Sequence, residues 1–253
     1  MAEGSAPVKA RGIFIRTLRE ASEMRAGVDL QKKVWGYGDI DTVPEQMFIV
    51  ASESGGQVLA AFHEKEPVGF ALAFAGFHDG SPYLHSHMVA VTPEYQDRGV
   101  GRMLKLAQRE DALARRFNLI EWTFDPLQLK NAHFNLVRLG AIARRYIPNF
   151  YGRTSSPLHA GLPTDRLVVE WWIQSARVQN LLNGSSPVLH AEYWRISIPA
   201  AIRRICASDP AQAEQIQSGV RKQFERHLAD GCAAVGFELN QQHGSYLLEP
   251  YED

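Results

Sequence analysis

Gln96, Gly99 and Gly101 stand at the spacing of a turn that can hold phosphate. The run from Met88 to Arg102 opens with apolar, β-branched residues and breaks at Thr92-Pro93. It then crosses the charged segment Glu94 to Arg98 and passes two glycines. Beyond it, Met103, Leu106, Ala107, Leu113, Ala114 and Phe117 recur at helical steps, which predicts a helix over 102–117 with that set as its buried face. A strand that feeds a helix through glycine leaves the first helical N–H groups without intrahelical partners, all aimed one way. The helix dipole adds partial positive charge at the same end, so a phosphate-bearing ligand suits the turn. Glycine lets the backbone approach that ligand closely and take positive φ. Arg98 and Arg102 add guanidinium groups that match phosphate geometry, although both also read as solvated surface charges.

Acid–base chemistry has its candidates just upstream. His85 and His87 precede Val89 and Val91 on one strand, and period-two alternation predicts that all four share a face. An imidazole titrating near neutrality can accept a proton directly or through water. The bland reading is two polar side chains on a half-exposed strand. As a metal pair His85 and His87 lack a third ligand, so no metal is expected.

Three phosphate-binding patterns compete for the turn. A P-loop needs Gly-Lys-Ser/Thr, whereas Gly101 is followed by Arg102-Met103. A dinucleotide fingerprint needs a third small residue where Leu104 stands, and its acidic residue should close the next strand, whereas Glu121 falls inside one. The remaining pattern is Gln/Arg-x-x-Gly-x-Gly/Ala, met by Gln96, Gly99 and Gly101. It resembles the acyl-CoA signature of the GNAT acyltransferase superfamily.

The elements that would position these residues follow in order. A disordered lead-in is expected over 1–11, then a strand at Ile13–Leu18 and a helix at Ala21–Trp35 closed by Gly36. Residues 44–54 read as either a short helix or an irregular segment. Gln57–His63 and Val68–Phe77 form a hairpin, and the strand from Tyr83 leads to the glycine turn. After the central helix come a strand at Leu119–Phe124, a helix at Leu129–Leu139 and a strand at Ala141–Tyr151. Ser155 to Pro163 reads as a linker. A strand at Asp165–Trp172, a loop-rich stretch over 175–192 and a strand at Tyr193–Ile198 follow. Asp209-Pro210 starts a helix that runs to Ala229, and a hairpin spans Ala233–Leu239 and Ser245–Leu248. Trp171, Trp172 and Trp194 are expected to need burial.

This order resembles the GNAT fold over residues 12–153, and the run Phe124-Asp125-Pro126-Leu127, Asn131 to Asn135, Leu139-Gly140 and Pro163 to Leu167 is similar to a branch of predicted GNAT acyltransferases. The resemblance implies a mixed α+β fold, a central mixed sheet flanked by helices. Residues 154–253 would form an α/β extension that continues the core sheet or packs beside the acyl pocket. It also implies that the fourth and fifth strands splay and that the pantetheine arm pairs with the backbone at Val89 and Val91. Gln96, Arg98, Gly99, Val100, Gly101 and Arg102 would hold the pyrophosphate, and Asn131 would face the coenzyme. Asn131 is also placed to cap its helix, with Asn135 on the same face. His85 stands where some relatives hold a catalytic glutamate. Many relatives carry a tyrosine four residues before the glycine that ends the last core helix, and here Leu136 stands there. Either Tyr146 or Tyr151 substitutes, or the thiolate leaves without a dedicated donor.

The implied activity is transfer of an acetyl or succinyl group from acetyl-CoA or another acyl-CoA to the amine of a small molecule, an amino acid among the candidates. The alternative is an acyl-CoA-binding sensor or scaffold without turnover. Composition fits either. The chain has 253 residues, 45% hydrophobic and 22% charged, with a formal net charge of -1, and gives no sign of a nucleic-acid or membrane partner. Cys206 and Cys232 lie in no metal or redox spacing. No apolar run approaches the roughly 18 residues of a membrane span, and the first residues lack signal-peptide character. A cytoplasmic location is expected, and a homodimer is compatible with the sequence.

Overall fold

The computed structural model describes residues 12–78, 80–152, 161–185 and 193–251. The expected lead-in at 1–11 and most of the expected linker, 155–160, lie outside the described residues. The chain divides into two compact units, the first ending at Ile120 and the second running from Glu121.

In the first unit the strands β1 (Ile13–Thr17), β2 (Gln57–His63), β3 (Glu66–His78) and β4 (Ser81–Val91) lie in that order, each antiparallel to the next. Helices α1 (Ala21–Trp35) and α2 (Glu45–Glu53) cover one face, and α3 (Val100–Ala114) covers the other. The ends of α1 follow from its sequence. Glu20 and Glu23 make a reciprocal capping box, and Gly36 takes the left-handed conformation, φ 67, that closes the helix. Residues 45–53, ambiguous in sequence, are helical. Phe48 is buried against Gly27 of α1, where an added Cβ would stand 2.5 Å from the ring.

Two sequence expectations fail in this unit. The buried face of α3 is Val100, Leu104, Lys105, Gln108 and Ala112, not the apolar set from Met103 to Phe117. In β4 the pairing shifts from Leu72–Met88 to Ala73–Ser86, so His87 is an extra residue with no partner on β3. Such a bulge inverts the alternation of everything upstream of it.

The second unit orders its strands β5 (Leu119–Phe124), β7 (Arg166–Trp172), β6 (Ile142–Ile147), β9 (Cys232–Leu239), β10 (His243–Pro250) and β8 (Trp194–Pro199). The C-terminal strands therefore continue the sheet of β5, β6 and β7. Between β5 and β6, α4 (Leu129–Ala132) widens into a π-helical turn at His133–Arg138. Helix α5 (Ala176–Leu182), capped by the Ser175 hydroxyl, falls in the stretch expected to be loop-rich, and α6 (Ile202–Ser208) lies where the sequence suggested no element. The long helix α7 (Pro210–Ala229) starts as expected, with the Asp209 side chain accepting from the Gln212 N–H.

Of the three tryptophans expected to need burial, only Trp171 is fully enclosed. Its indole N–H donates to the Leu139 carbonyl at 2.8 Å, and Trp122 meets it edge-on. Trp172 and Trp194 are partly exposed, at 37% and 44%. Phe224, Phe237 and Tyr246 pack edge to face, and the buried Tyr246 hydroxyl donates to the Pro126 carbonyl at 2.7 Å. Truncation after Gly152 would strip β5 and β6 of β7, β9 and this aromatic cluster. It is expected to yield insoluble protein; a soluble, monomeric fragment that still bound coenzyme A would make residues 154–253 an independent domain.

Candidate active site

In the first unit the glycine loop leads directly into the start of α3. Pro93–Tyr95 form a short 3-10 turn, and the Gln96 side chain reaches back to donate to the Val91 carbonyl at 2.9 Å. That bond ties the loop to the end of β4 and gives the motif glutamine a shaping role. Asp97 and Gly99 both take positive φ, 56 and 85. Only glycine adopts this conformation without penalty. Gly99 is the N-cap of α3 and brings no capping side chain, and the first turn holds no acidic residue. A Cβ built on Gly99 meets nothing within 4 Å, and one built on Gly101 meets only Val91 Cγ2, at 4.0 Å. The space in front of these amides is open and electropositive.

Arg98 is exposed, its guanidinium 5.5 Å from the Tyr95 ring centroid. Arg102 lies in the first turn of α3, half-buried. Val89 and Val91 direct their side chains into the cluster that holds Val100 and Leu104. What they can offer a ligand is backbone.

The histidines are placed differently from the sequence expectation. His85 lies opposite Phe74, whose ring packs with the cluster formed by α1 and α2, whereas Val89 and Val91 face α3. The bulge at His87 is the cause. His85 is half-buried, and burial, with the His87 and Lys105 charges nearby, holds its imidazole down to about 4. It is therefore an unprotonated base across the physiological range, not a group that titrates near neutrality. The His85 and His87 rings stand 6.2 Å apart, and His87 is exposed beside Phe74.

Asn131 and Tyr146 belong to the second unit. Asn131 is an exposed residue of the first turn of α4 whose N-cap is Gln128, so the capping role is not its own. Asn135 is buried in the π-helical turn and does not share its exposure. Leu136 is fully buried.

The Tyr146 hydroxyl donates to Asp165 Oδ2 at 2.6 Å, and Arg221 grips the same carboxylate with two bonds of 2.8 Å. Burial, then the bond to Asp165, raise the phenol pKa, so its proton is held rather than offered. Tyr146→Phe is expected to cost about 1.5–3 kcal/mol of stability, the value of a hydrogen bond to a charged group. Urea unfolding checks this. A turnover loss with stability unchanged would instead mark Tyr146 as an acid. Tyr151 is half exposed, with the Arg166 guanidinium 5.1 Å from its ring centroid.

One constellation has no counterpart among the sequence expectations. Lys105, buried in α3, donates to the Ser86 hydroxyl at 2.8 Å, and Ser86 donates to Gln108 Oε1 at 3.0 Å. Gln57 donates to the Gln108 carbonyl and to Asp111, and Asp111 pairs with Arg115, which in turn donates to the carbonyls of Gly55 and Gly56. No sequence signal marks this seam, because lysine, glutamine and aspartate on a helix read as its solvent side. Among the described residues, no group of three His, Cys, Asp or Glu side chains is disposed to hold a metal ion. Nor is any described helix long and apolar enough to cross a membrane.

The comparisons with known proteins agree with this fold. Residues 24–140 match the model of the acetyltransferase (GNAT) family. This stretch belongs to the GNAT superfamily, and the mixed α+β architecture is the GNAT fold. The ribosomal-protein-S18-alanine N-acetyltransferase from Escherichia coli superimposes with a TM-score of 0.52 at 16% identity, over 65% of this chain and 96% of that one. A protein described as an acetyltransferase of the GNAT family from Desulfovibrio desulfuricans gives 0.52 at 14%, over 64% and 99%. The NatC complex bound to Gag peptide and CoA gives 0.51 at 11%, over 62% and 96%. No curated protein matches the chain.

Proposed function

We propose that the protein is an acyl-CoA-dependent N-acyltransferase, with acetyl-CoA as the leading donor and a small-molecule amine, such as an amino acid, as acceptor. The observation that carries this reading is the glycine N-cap of α3, open in front and free of acidic side chains in its first turn. Its amides, with Arg98 and Arg102, would bind the coenzyme pyrophosphate, and the β4 backbone at Val89 and Val91 would pair with pantetheine.

The reaction forms a C–N bond and breaks a C–S bond. The amine nitrogen attacks the thioester carbon, gives up one proton, and the thiolate leaves as coenzyme A. His85, unprotonated at neutral pH, would take that proton. As a weak base it suits an amine that arrives neutral, and its conjugate acid hands the proton on readily to thiolate or solvent. Residues 12–153 would constitute the transferase core and 154–253 an extension of it, in a cytoplasmic protein.

A second reading is favoured by one specific observation. Leu136 occupies the position where many relatives hold a tyrosine, and the Tyr146 phenol is committed to Asp165. A protein that binds acyl-CoA without turning it over would show this. Thiol release measured with DTNB, using acetyl- and succinyl-CoA against a panel of amines, separates the two. Amine-dependent release establishes the enzyme. Tight acyl-CoA binding with no release for any amine leaves the sensor.

A further inference from the structure

We propose that Lys105 is a positioning residue for His85: through the Ser86 hydroxyl it pins the β4 bulge that turns His85 away from the Val89 and Val91 face. The inference rests on the reading of His85 as the base, and goes beyond it.

The geometry begins with the bulge. Ser86 is the last residue of β4 to pair with β3 before the break, and Met88 is the first after it. Ser86 faces α3, and its hydroxyl is held from both sides by that helix, accepting from Lys105 Nζ and donating to Gln108 Oε1. Lys105 and Gln108 are three positions apart on one helical face, so a rigid element grips the strand at the point where its pairing is interrupted. All three side chains are buried: Ser86 is 4% exposed, Lys105 3% and Gln108 0%. A bulge is a local loss of ladder bonding and needs such external support to hold a single register.

Stability alone does not explain a lysine here. A methionine of similar length would fill the space with no polar group to satisfy, whereas burial drives the Lys105 ammonium well below its ordinary pKa. Slipping the bulge out would restore plain alternation, and His85 would then share the α3 face with Val89 and Val91. The groups whose charge acts on His85 are His87 on the same strand and Lys105 across from it. Lys105 thus sets both the direction and the electrostatic surroundings of the imidazole.

The test uses the full-length protein and the variants Lys105→Met, Ser86→Ala and Ser86→Thr. The His85 imidazole is titrated by NMR, and turnover is resolved into kcat and the KM for acetyl-CoA. In Lys105→Met and Ser86→Ala the His85 midpoint is expected to shift by about one unit or more. In both, kcat is expected to fall by at least about tenfold while KM stays nearly constant. Ser86→Thr, which keeps the hydroxyl, restores both values. A folded Lys105→Met with an unmoved midpoint and unchanged kcat overturns the proposal. If Lys105→Met does not fold, Ser86→Ala decides between the same two outcomes. Should His85→Ala leave kcat untouched, the base assignment fails, yet a shifted midpoint in Ser86→Ala, which keeps Lys105, still upholds the positioning.

Discussion

Gly101→Glu is expected to abolish acyl-CoA binding in a protein that remains folded. Gly101 lies within α3, and a Cβ there meets nothing nearer than Val91 Cγ2 at 4.0 Å, so the side chain has room. Its carboxylate would stand in the open space before the helix amides, where the coenzyme pyrophosphate is proposed to sit. At a separation of about 4 Å each unit charge pair costs about 4 kcal/mol near a protein surface. A loss of at least about 100-fold in affinity follows, about 2.7 kcal/mol. Titration calorimetry with acetyl-CoA, with circular dichroism to confirm the fold, reads the result. Gly99→Val should also lose binding, but at φ 85 a β-branched residue strains the loop itself, so Gly101→Glu is the cleaner probe. Wild-type affinity in folded Gly101→Glu would remove the glycine loop from the coenzyme site.

His85→Ala is expected to lower kcat by about 100- to 10,000-fold, the usual contribution of a positioned base. The affinity for acetyl-CoA should change little. The pH dependence distinguishes this role from a bystander's. With its imidazole held to about 4, His85 is already unprotonated at about pH 6, so its limb in the rate profile falls near pH 4, not near neutrality. Between about pH 5.5 and 8 the profile should follow the ionisation of the acceptor amine alone. The acidic limb disappears in His85→Ala. The same depression weakens the fold in acid. The unfolded chain binds a proton at about 6.5, so this part of the stability is present above that pH. It is lost as pH falls towards the folded value. A turnover loss of less than about tenfold, short of the range for a base, would leave bulk water as the proton acceptor.

The sequence carried the elements of the fold further than it carried the faces they present. Gly36 after an apolar helical run, and Asp209-Pro210 before another, mark helix ends by backbone chemistry alone, and α1 closes and α7 opens where those residues say. The glycine loop was legible for the same reason, since Gly99 is needed for its positive φ. Two kinds of information were hidden. A bulge is a choice between pairing registers, and nothing in Leu84-His85-Ser86-His87-Met88 announces that His87 will be left over. Burial of Lys105 and Gln108 is a tertiary outcome, visible only once Ser86 and Gln57 are there to receive them. Helices α5 and α6, with seven residues each, are too short to show periodicity.

The bond from the Tyr246 hydroxyl to the Pro126 carbonyl joins residues 120 positions apart. It has a consequence for the order in which the molecule is made. When Ile120 leaves the ribosome, β1 to β4 and their three helices are all present. Pro126 and the strand before it belong to a sheet whose β9 and β10 are translated well after them. At about 5–20 residues per second, that interval is roughly 6–24 seconds. Through it Trp122, Leu136 and Leu139 wait for the segments that complete their burial. The stretch that matches the family model, residues 24–140, thus straddles a half that is translated early and one whose sheet is completed late.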